Sequence, residues 1–376
     1  MRVTVLNTAH FDLKVGDKLF PAFKEVILDM SPAQEEFRNL RCYKQLRVNR
    51  TNNKSFMESL GLKHNGKTFN FCYDIQSQHA GESYKYAIQT LSNPIIKHLK
   101  NAGYSNRPLI TINCRFFSSK RINQFMKVPV GPHDIFFSHG IGDKNYWIGK
   151  NIKDYNYAFV PGPAWQKRMR ETGYKGEIFV CGYTKLDPLI NGEVKKTERK
   201  KPYIVWMPTH GYNGSHSGRS SYPECLSLIN NISNNYEKSI ALHPTSKLNS
   251  NIKHTPTFQE LIDADVVIAD AGSTIYEAWI LGKPVIFPDW ICKKDVLAHF
   301  KDDPNNFEYK IYNENIGYHA ADINHLNELI EIALKYGMKD NSREFIDTVY
   351  PEKIRGQAGK LAAKYLNQIA TSLNIK

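Results

Sequence analysis

Residues 261–290 read LIDADVVIADAGSTIYEAWILGKPVIFPDW, a complete strand, turn, helix, turn and second strand in one run. Val266, Val267 and Ile268 form the continuous apolar run of a parallel strand buried on both faces, and the run stops at Asp270. Ala271 and Gly272 turn the chain. Ser273 and Thr274 are N-cap residue types, Ile275 to Leu281 continue as a short helix, and Gly282 closes it with Pro284 just beyond. Val285 to Phe287 is then the next parallel strand. A helix that starts behind a small-residue turn points unpaired N–H groups and the positive end of its dipole above the sheet. An anion site is expected there: the Ser273 and Thr274 hydroxyls and amides hold a diphosphate, and Glu277, one turn further in, reaches a ribose diol. The plainer alternative is that Ser273 caps the helix and Glu277 is a solvated first-turn acid.

Working outward, a chain of 376 residues exceeds one ordinary core, so two domains are expected. No apolar run approaches the roughly 18 residues a membrane span requires. The opening MRVTVLNTAHFD lacks the long apolar core of a secretory signal, so a cytoplasmic protein is expected. Cys42, Cys72, Cys114, Cys181, Cys225 and Cys292 are scattered without a C-x-x-C pair, which argues against a zinc ribbon or a dithiol motif and for reduced, mostly core thiols. The formal charge of +13 favours nucleic acid, anionic lipid headgroups or a polyanionic substrate as partner, or else is a basic surface without a function.

From the N-terminus, Arg2 to Leu6 alternates as a strand, and the pattern is then poor to about Asn70. The basic stretch 37–55, with Arg38, Arg41, Lys44, Arg47 and Arg50, reads as a helix, either solvated or lying on an anionic surface. A helix over 82–103 and a strand over Pro108–Ile112 follow. Ile135 to Phe137 is a buried strand leaving through Ser138, His139 and Gly140, which sets a histidine at the lip of the sheet. Ligands of open parallel sheets bind outside the carboxyl ends of the strands, so His139 stands where a general base would; the alternative is a structural histidine. Gly140 and Gly142 let the backbone approach a ligand, and Asp143 and Lys144 follow as supporting groups.

Strands at Tyr157–Val160 and Ile178–Val180 flank a helix at Trp165–Thr172, so this half alternates strand and helix. The polar stretch Asn191–Lys201 reads as a linker between a first domain over 1–190 and a second over 202–345, with 346–376 as a helix crossing back onto the first. Residues 323–337 and 343–372 are expected to be helical. The second domain opens with a strand at Tyr203–Met207 that leaves through Pro208, Thr209 and His210 into a Gly/Ser-rich loop. His216 or Arg219 of that loop either closes over a phosphate or belongs to a solvated linker. A strand at Ser239–Leu242 exits at His243. His139, His243, Asp270 and Ser273 thus stand at strand exits expected to face one cleft between two doubly wound domains, a transferase-like arrangement. No P-loop and no G-x-G-x-x-G is present.

These residues resemble the CDP-glycerol glycerophosphotransferase family, the teichoic acid primases and polymerases. Ser138-His139-Gly140 with Lys144 is similar to the family's W-H-G-T-P-x-K, Gly182 to Asp187 to its G-x-P-R-x-D, and Pro208-Thr209 to its A-P-T-x-R. His243-Pro244 and Asp270 to Thr274 look like its later H-P and D-Y-S-S segments. Ser138 stands for the tryptophan, Ile141-Gly142 for Thr-Pro and Thr184 for proline, and Asp270 to Ser273 with Glu277 is also similar to sugar-nucleotide enzymes of the same fold. The resemblance implies an α/β protein of the GT-B fold: two facing Rossmann-like, doubly wound domains.

It also implies transfer from a nucleotide-diphosphate donor, with no cofactor and no metal, to a hydroxyl of a polyanionic or lipid-linked acceptor, at the inner face of the cell membrane. His139 would take the acceptor proton. Thr209, His243, Asp270, Gly272, Ser273 and Thr274 would hold the donor's phosphates, Glu277 its ribose, and His243 would act beside His139 in catalysis. The alternatives are a glycosyltransferase using a UDP-sugar, with DNA or a surface glycan as acceptor, and a non-catalytic polyanion-binding protein on the same scaffold.

Overall fold

The computed structural model describes residues 155–209, 219–243 and 257–372 throughout, shorter stretches at 94–95, 98, 135–137, 140–143 and 152–153, and the backbone of strands within residues 2–113. The chain divides into two compact units. The first comprises Met1–His139, Asn145–Asp187 and Gly356–Lys376, and the second Gly140–Lys144 and Pro188–Arg355.

The first unit is built on a mixed sheet. Its strands are β1 (Arg2–Asn7), β4 (Glu25–Asp29), β5 (Leu46–Asn49), β6 (Lys67–Asp74), β7 (Arg107–Asn113), β8 (Ile135–Phe137), β9 (Tyr157–Val160) and β10 (Glu177–Val180). β2 (Leu13–Val15) and β3 (Lys18–Phe20) pair antiparallel in a separate two-stranded sheet. The sheet order is β10-β9-β8-β7-β6-β5-β1-β4, with β6 to β10 parallel and the β6-β5-β1-β4 edge antiparallel.

Strand β5 corrects the helix expected over 37–55, most of which lies outside the described residues. Leu46 and Val48 alternate with Arg47 and Asn49, a period of two, whereas the helical expectation follows the spacing of the charges alone. Of the helix expected over 82–103, Pro94, Ile95 and His98 are helical, with Ile95 fully buried. Helix α1 (Pro163–Glu171) starts on a proline at its first turn, where a missing N–H costs nothing, and buries Trp165 and Met169.

The second unit holds five parallel strands, β11 (Tyr203–Met207), β12 (Glu237–Ile240), β13 (Val266–Ala269), β14 (Val285–Pro288) and β15 (Tyr318–Ala320), in the order β12-β11-β13-β14-β15. Its longer helices are α2 (Thr257–Asp263), α3 (Ser273–Ile280), α4 (Asp289–Phe300), α5 (Phe307–Asn313), α6 (Ile323–Tyr336) and α7 (Asp340–Val349). Alternate strand residues serve opposite faces. Ile204, Trp206, Val266, Ile268 and Ile286 pack with Leu326, Leu329 and Ile330 of α6. On the other face Phe287 meets Trp279 of α3 and Tyr312 of α5, with ring centroids 5.8 and 5.3 Å apart. Helices on both faces make this sheet doubly wound, and each buried aliphatic or aromatic side chain contributes about 1.5–3 kcal/mol.

Two differences from the sequence reading follow from punctuation of the chain. The helix expected over 343–372 is three pieces: α7, a 3-10 turn at Glu352–Ile354 and α8 (Ala358–Ser372). Pro351 lacks the N–H that would continue α7, and Gly356 takes φ +74, so the chain turns before α8 begins. The polar stretch 191–201 belongs to the second unit. There Thr197 N–H donates to Asp263 at 2.8 Å, while Arg199 bonds Glu237 and Asp263 and stacks over the Tyr203 ring at 3.6 Å.

Candidate functional site

In the second unit the chain leaves β11 for β12 on one side and returns to β13 on the other, so the order of connection reverses between β11 and β13. Such a reversal opens a crevice at the carboxyl ends of the strands, where open α/β sheets hold ligands. The residues at that edge are Thr209 after β11, His243 after β12 and the Asp270–Thr274 turn after β13. Thr209, His243, Ser273 and Thr274 are all half-buried, which leaves part of each surface open.

Behind this rim stand buried charges. Asp270 is fully buried, and its carboxylate accepts four hydrogen bonds from three segments: Thr209 N–H at 2.8 Å and Ala271 N–H at 2.7 Å on one oxygen, Ser221 N–H at 2.6 Å and Ser221 O–H at 2.7 Å on the other. Ser221 in turn accepts from the Trp206 indole at 2.8 Å. Burial pushes the Asp270 carboxyl above its ordinary pKa, and the bonds from Ser221, Thr209 and Ala271 pull it back. A carboxylate occupied in this way ties the exits of β11 and β13 to each other and to Ser221.

The N-cap position of helix α3 is Gly272, not Ser273. Gly272 takes φ +87, a conformation that favours glycine, and provides no side chain to cap the helix. Its N–H donates to Glu308 of α5 at 3.0 Å. Ser273, expected as a cap, instead binds another segment, its hydroxyl oxygen accepting the N–H groups of Ile141 and Gly142 at 3.1 and 3.3 Å. With both acceptor positions used, the Ser273 O–H remains to donate. Gly140 and Gly142 are needed for this approach. A Cβ at Gly140 would stand 2.6 Å from Ser273 Oγ, and one at Gly142 would stand 3.0 Å from the Gly272 carbonyl carbon.

The 140–143 segment is gripped from α5 as well. Asn306 caps α5 by accepting from Glu308 and Tyr309 N–H, and its amide donates to the Asp143 carbonyl at 2.9 Å. Asp143, fully buried, accepts the Phe307 N–H at 2.9 Å. Arg219 lies within the wall rather than on a closing loop. It is 8% exposed, its guanidinium sits 5.4 Å from the Phe300 ring, and burial lowers its pKa while Glu308 and Asp270 raise it. Glu277 is buried too, which removes the solvated-acid alternative.

His139, Lys144 and His216 lie outside the described residues. Asn306, Glu308 and Ser221 were not singled out in the sequence. The capping signal at Asn306, an asparagine before apolar residues at 307 and 311, was present, but its reach to Asp143 across 163 positions has no local trace. His319 was also missed, with its strand; both ring nitrogens face acceptors, Asp289 at 2.8 Å and the Ile316 carbonyl at 3.2 Å, so the fold itself satisfies it. Among the described residues no group of three or more His, Cys, Asp and Glu side chains could hold a metal ion, no helix is long and apolar enough to cross a membrane, and Cys181, Cys225 and Cys292 are buried free thiols.

The protein is thus a two-unit α/β protein whose second unit carries a doubly wound parallel sheet with a polar rim at its switch point. No family model and no curated protein matches the chain. Among solved structures it is similar to the wall teichoic acid polymerase TagF, at 14% identity and a TM-score of 0.48 over 70% of this chain and 73% of that one. A further TagF structure, soaked with CDPG, matches at 12% identity and a TM-score of 0.49 over 76% and 86%. The UDP-GlcNAc 2-epimerase of Neisseria meningitidis bound to UDP-GlcNAc matches at 13% identity and a TM-score of 0.42 over 76% and 81%.

Proposed function

We propose that the protein is a transferase that takes a group from a nucleotide-diphosphate donor, and that the donor's diphosphate sits at the start of α3. The observation that carries this reading is the amino end of α3 without a side-chain cap at the β11/β13 switch point, with Ser273 and Thr274 in its first turn, Thr209 beside Gly272, and His243 after β12 on the same edge of the sheet. First-turn amides and the helix dipole favour an anion there, and hydroxyl and imidazole groups add donors. Asp270 and Glu308 act as positioning residues, because they hold the Thr209 and Gly272 backbone that shapes the turn. Glu277, inside the same helix, is assigned to the ribose.

In the finer reading the donor is CDP-activated glycerol phosphate or a related polyol phosphate. His139, which precedes Gly140 in the chain, removes the proton from an acceptor hydroxyl. The hydroxyl oxygen forms a bond to the donor's β-phosphorus, the bond from that phosphorus to the bridging oxygen breaks, and CMP leaves with the negative charge met by His243, Thr274 and the helix amides. The family resemblance of these segments supports the donor, and the net charge of +13 supports a polyanionic acceptor or one presented on an anionic membrane.

The leaving nucleotide tests the reading, because a glycerophosphotransferase releases CMP whereas a glycosyltransferase releases a nucleoside diphosphate. Incubation with CDP-glycerol and, separately, with UDP-sugars, each with a glycerol phosphate primer or DNA, followed by nucleotide chromatography, is expected to give acceptor-dependent CMP. Acceptor-dependent UDP alone would replace this donor by a nucleotide sugar. His139→Ala is expected to lower CMP formation by roughly 10²–10⁴ while nucleotide binding persists.

A further inference from the structure

Helix α5 is short, yet three of its residues and its cap reach the two segments that meet at the start of α3. On one side Glu308 accepts the Gly272 N–H at 3.0 Å, and the Tyr312 hydroxyl donates to the Asp270 carbonyl at 2.5 Å. On the other side the Asn306 amide donates to the Asp143 carbonyl and the Phe307 N–H to the Asp143 carboxylate, each at 2.9 Å. Residues 140–143, residues 270–274 and α5 all belong to the second unit. Asn306, Asp143 and Asp270 are fully buried and Glu308 is 2% exposed, so water does not replace a hydrogen bond lost among them.

Asn306 divides its side chain between two tasks. Its Oδ1 accepts the Glu308 and Tyr309 N–H groups at 2.9 and 3.1 Å and caps α5, while its Nδ2 holds the 140–143 segment. The Ile141 and Gly142 N–H groups of that segment in turn donate to Ser273 Oγ at 3.1 and 3.3 Å. With its lone pairs engaged there, the Ser273 hydroxyl can offer a ligand only its proton.

We infer that Asn306 is a positioning residue of the donor site: through Asp143 it holds the Ile141 and Gly142 amides against Ser273, and so keeps the Ser273 hydroxyl turned as a hydrogen-bond donor toward the diphosphate of a nucleoside diphosphate. The inference rests on the diphosphate reading of the α3 turn. Without the two amides the hydroxyl regains its rotation and can present a lone pair, which a phosphate oxygen repels. The frame itself does not depend on the Asn306 amide, since Glu308 and Tyr312 keep α5 on the 270–272 turn.

The test is calorimetric titration of the full chain with CDP and, separately, with UDP, in the wild type, Asn306→Ser, Asn306→Ala, Ser273→Ala and the double variant Asn306→Ser, Ser273→Ala. Serine keeps a capping oxygen but is too short to reach the Asp143 carbonyl, whereas alanine keeps neither, so Asn306→Ala is expected to melt at the lower temperature of the two. Both are nevertheless expected to weaken nucleotide binding alike, by about three- to tenfold, and Ser273→Ala to weaken it by about tenfold, in the range of one charge-assisted hydrogen bond. In the Ser273→Ala background, Asn306→Ser is expected to change affinity by less than about twofold, because the group it acts through is gone. A residue that merely supports the fold would weaken binding equally in both backgrounds or in step with melting temperature, and either pattern would overturn the inference. Hydrogen exchange across 140–143 without nucleotide is expected to quicken in Asn306→Ser; unchanged exchange would overturn the inference whatever the nucleotide does. A wild type that binds neither CDP nor UDP would overturn the diphosphate reading and this inference with it, whereas wild-type binding that Asn306→Ser leaves within about twofold would overturn the inference alone.

Discussion

Asp187 and Asp270 are buried aspartates that follow parallel strands of the two units, and each accepts backbone N–H groups from distant segments. They differ in what they do to the neighbouring helix. Asp187 accepts the Ala358 and Gly359 N–H groups at 3.2 and 2.7 Å, so its charge fills the amino end of α8 and fastens the last helix to the first unit. Asp270 accepts three of its four bonds from Thr209, at the exit of β11, and Ser221 and the fourth from Ala271, and α3 beside it starts without a side-chain cap. One carboxylate closes a helix end, and the other builds the surroundings of an end that stays open. The same chemistry thus gives a structural joint in one unit and a candidate anion site in the other.

The sharpest way to break this comparison is Asp270→Ala. It strips the acceptor from four donors inside a buried charge cluster, and a loss of about 3–5 kcal/mol is expected in urea unfolding. A loss below about 1 kcal/mol would mean that the rim does not depend on this carboxylate. Asp187→Ala removes a capping group and should cost less, about 1–2 kcal/mol. Its effect is also local: hydrogen exchange is expected to quicken across 358–372 and to stay unchanged in β11 and β13. Quickening in both units would show that the two aspartates are not separate devices.

The smallest effect concerns the 140–143 segment, and it is a coupling rather than a single cost. Gly140→Ala is expected to destabilise because its Cβ would meet Ser273 Oγ at 2.6 Å, yet the next atom of Ser273 is 3.8 Å away. In a Ser273→Ala background the same change should therefore cost less, with a coupling of about 1 kcal/mol in a double-mutant cycle. Strict additivity would place the glycine loop elsewhere.

The parallel strands were legible because β11, β13 and β14 are buried on both faces and therefore read as unbroken apolar runs. β15 was not, since its three residues include His319 and carry no such run. The antiparallel strands β2 to β5 were hidden for another reason: each is three to five residues long, too short for a period to stand out from its neighbours. At the site, Thr209, Asp270 and Ser273 could be named from their positions after strands, but their roles could not. A carboxylate after a strand reads alike whether it faces a ligand or, like Asp270, four protein donors.

By itself the sequence determined the α/β alternation, the start of a helix behind Ala271-Gly272, the clustering of polar residues at strand exits and the basic excess. These are local or additive properties, fixed by side-chain period, backbone preference and charge count. Only the tertiary structure decided that Ser273 receives the Ile141 and Gly142 amides, that Glu308 holds Gly272, and that Asp187 closes α8 while Asp270 leaves α3 uncapped. Those outcomes depend on which distant N–H group the folded chain brings to each oxygen, and a hydrogen bond about 3 Å long between residues 36 to 172 positions apart leaves no mark on the sequence around either one.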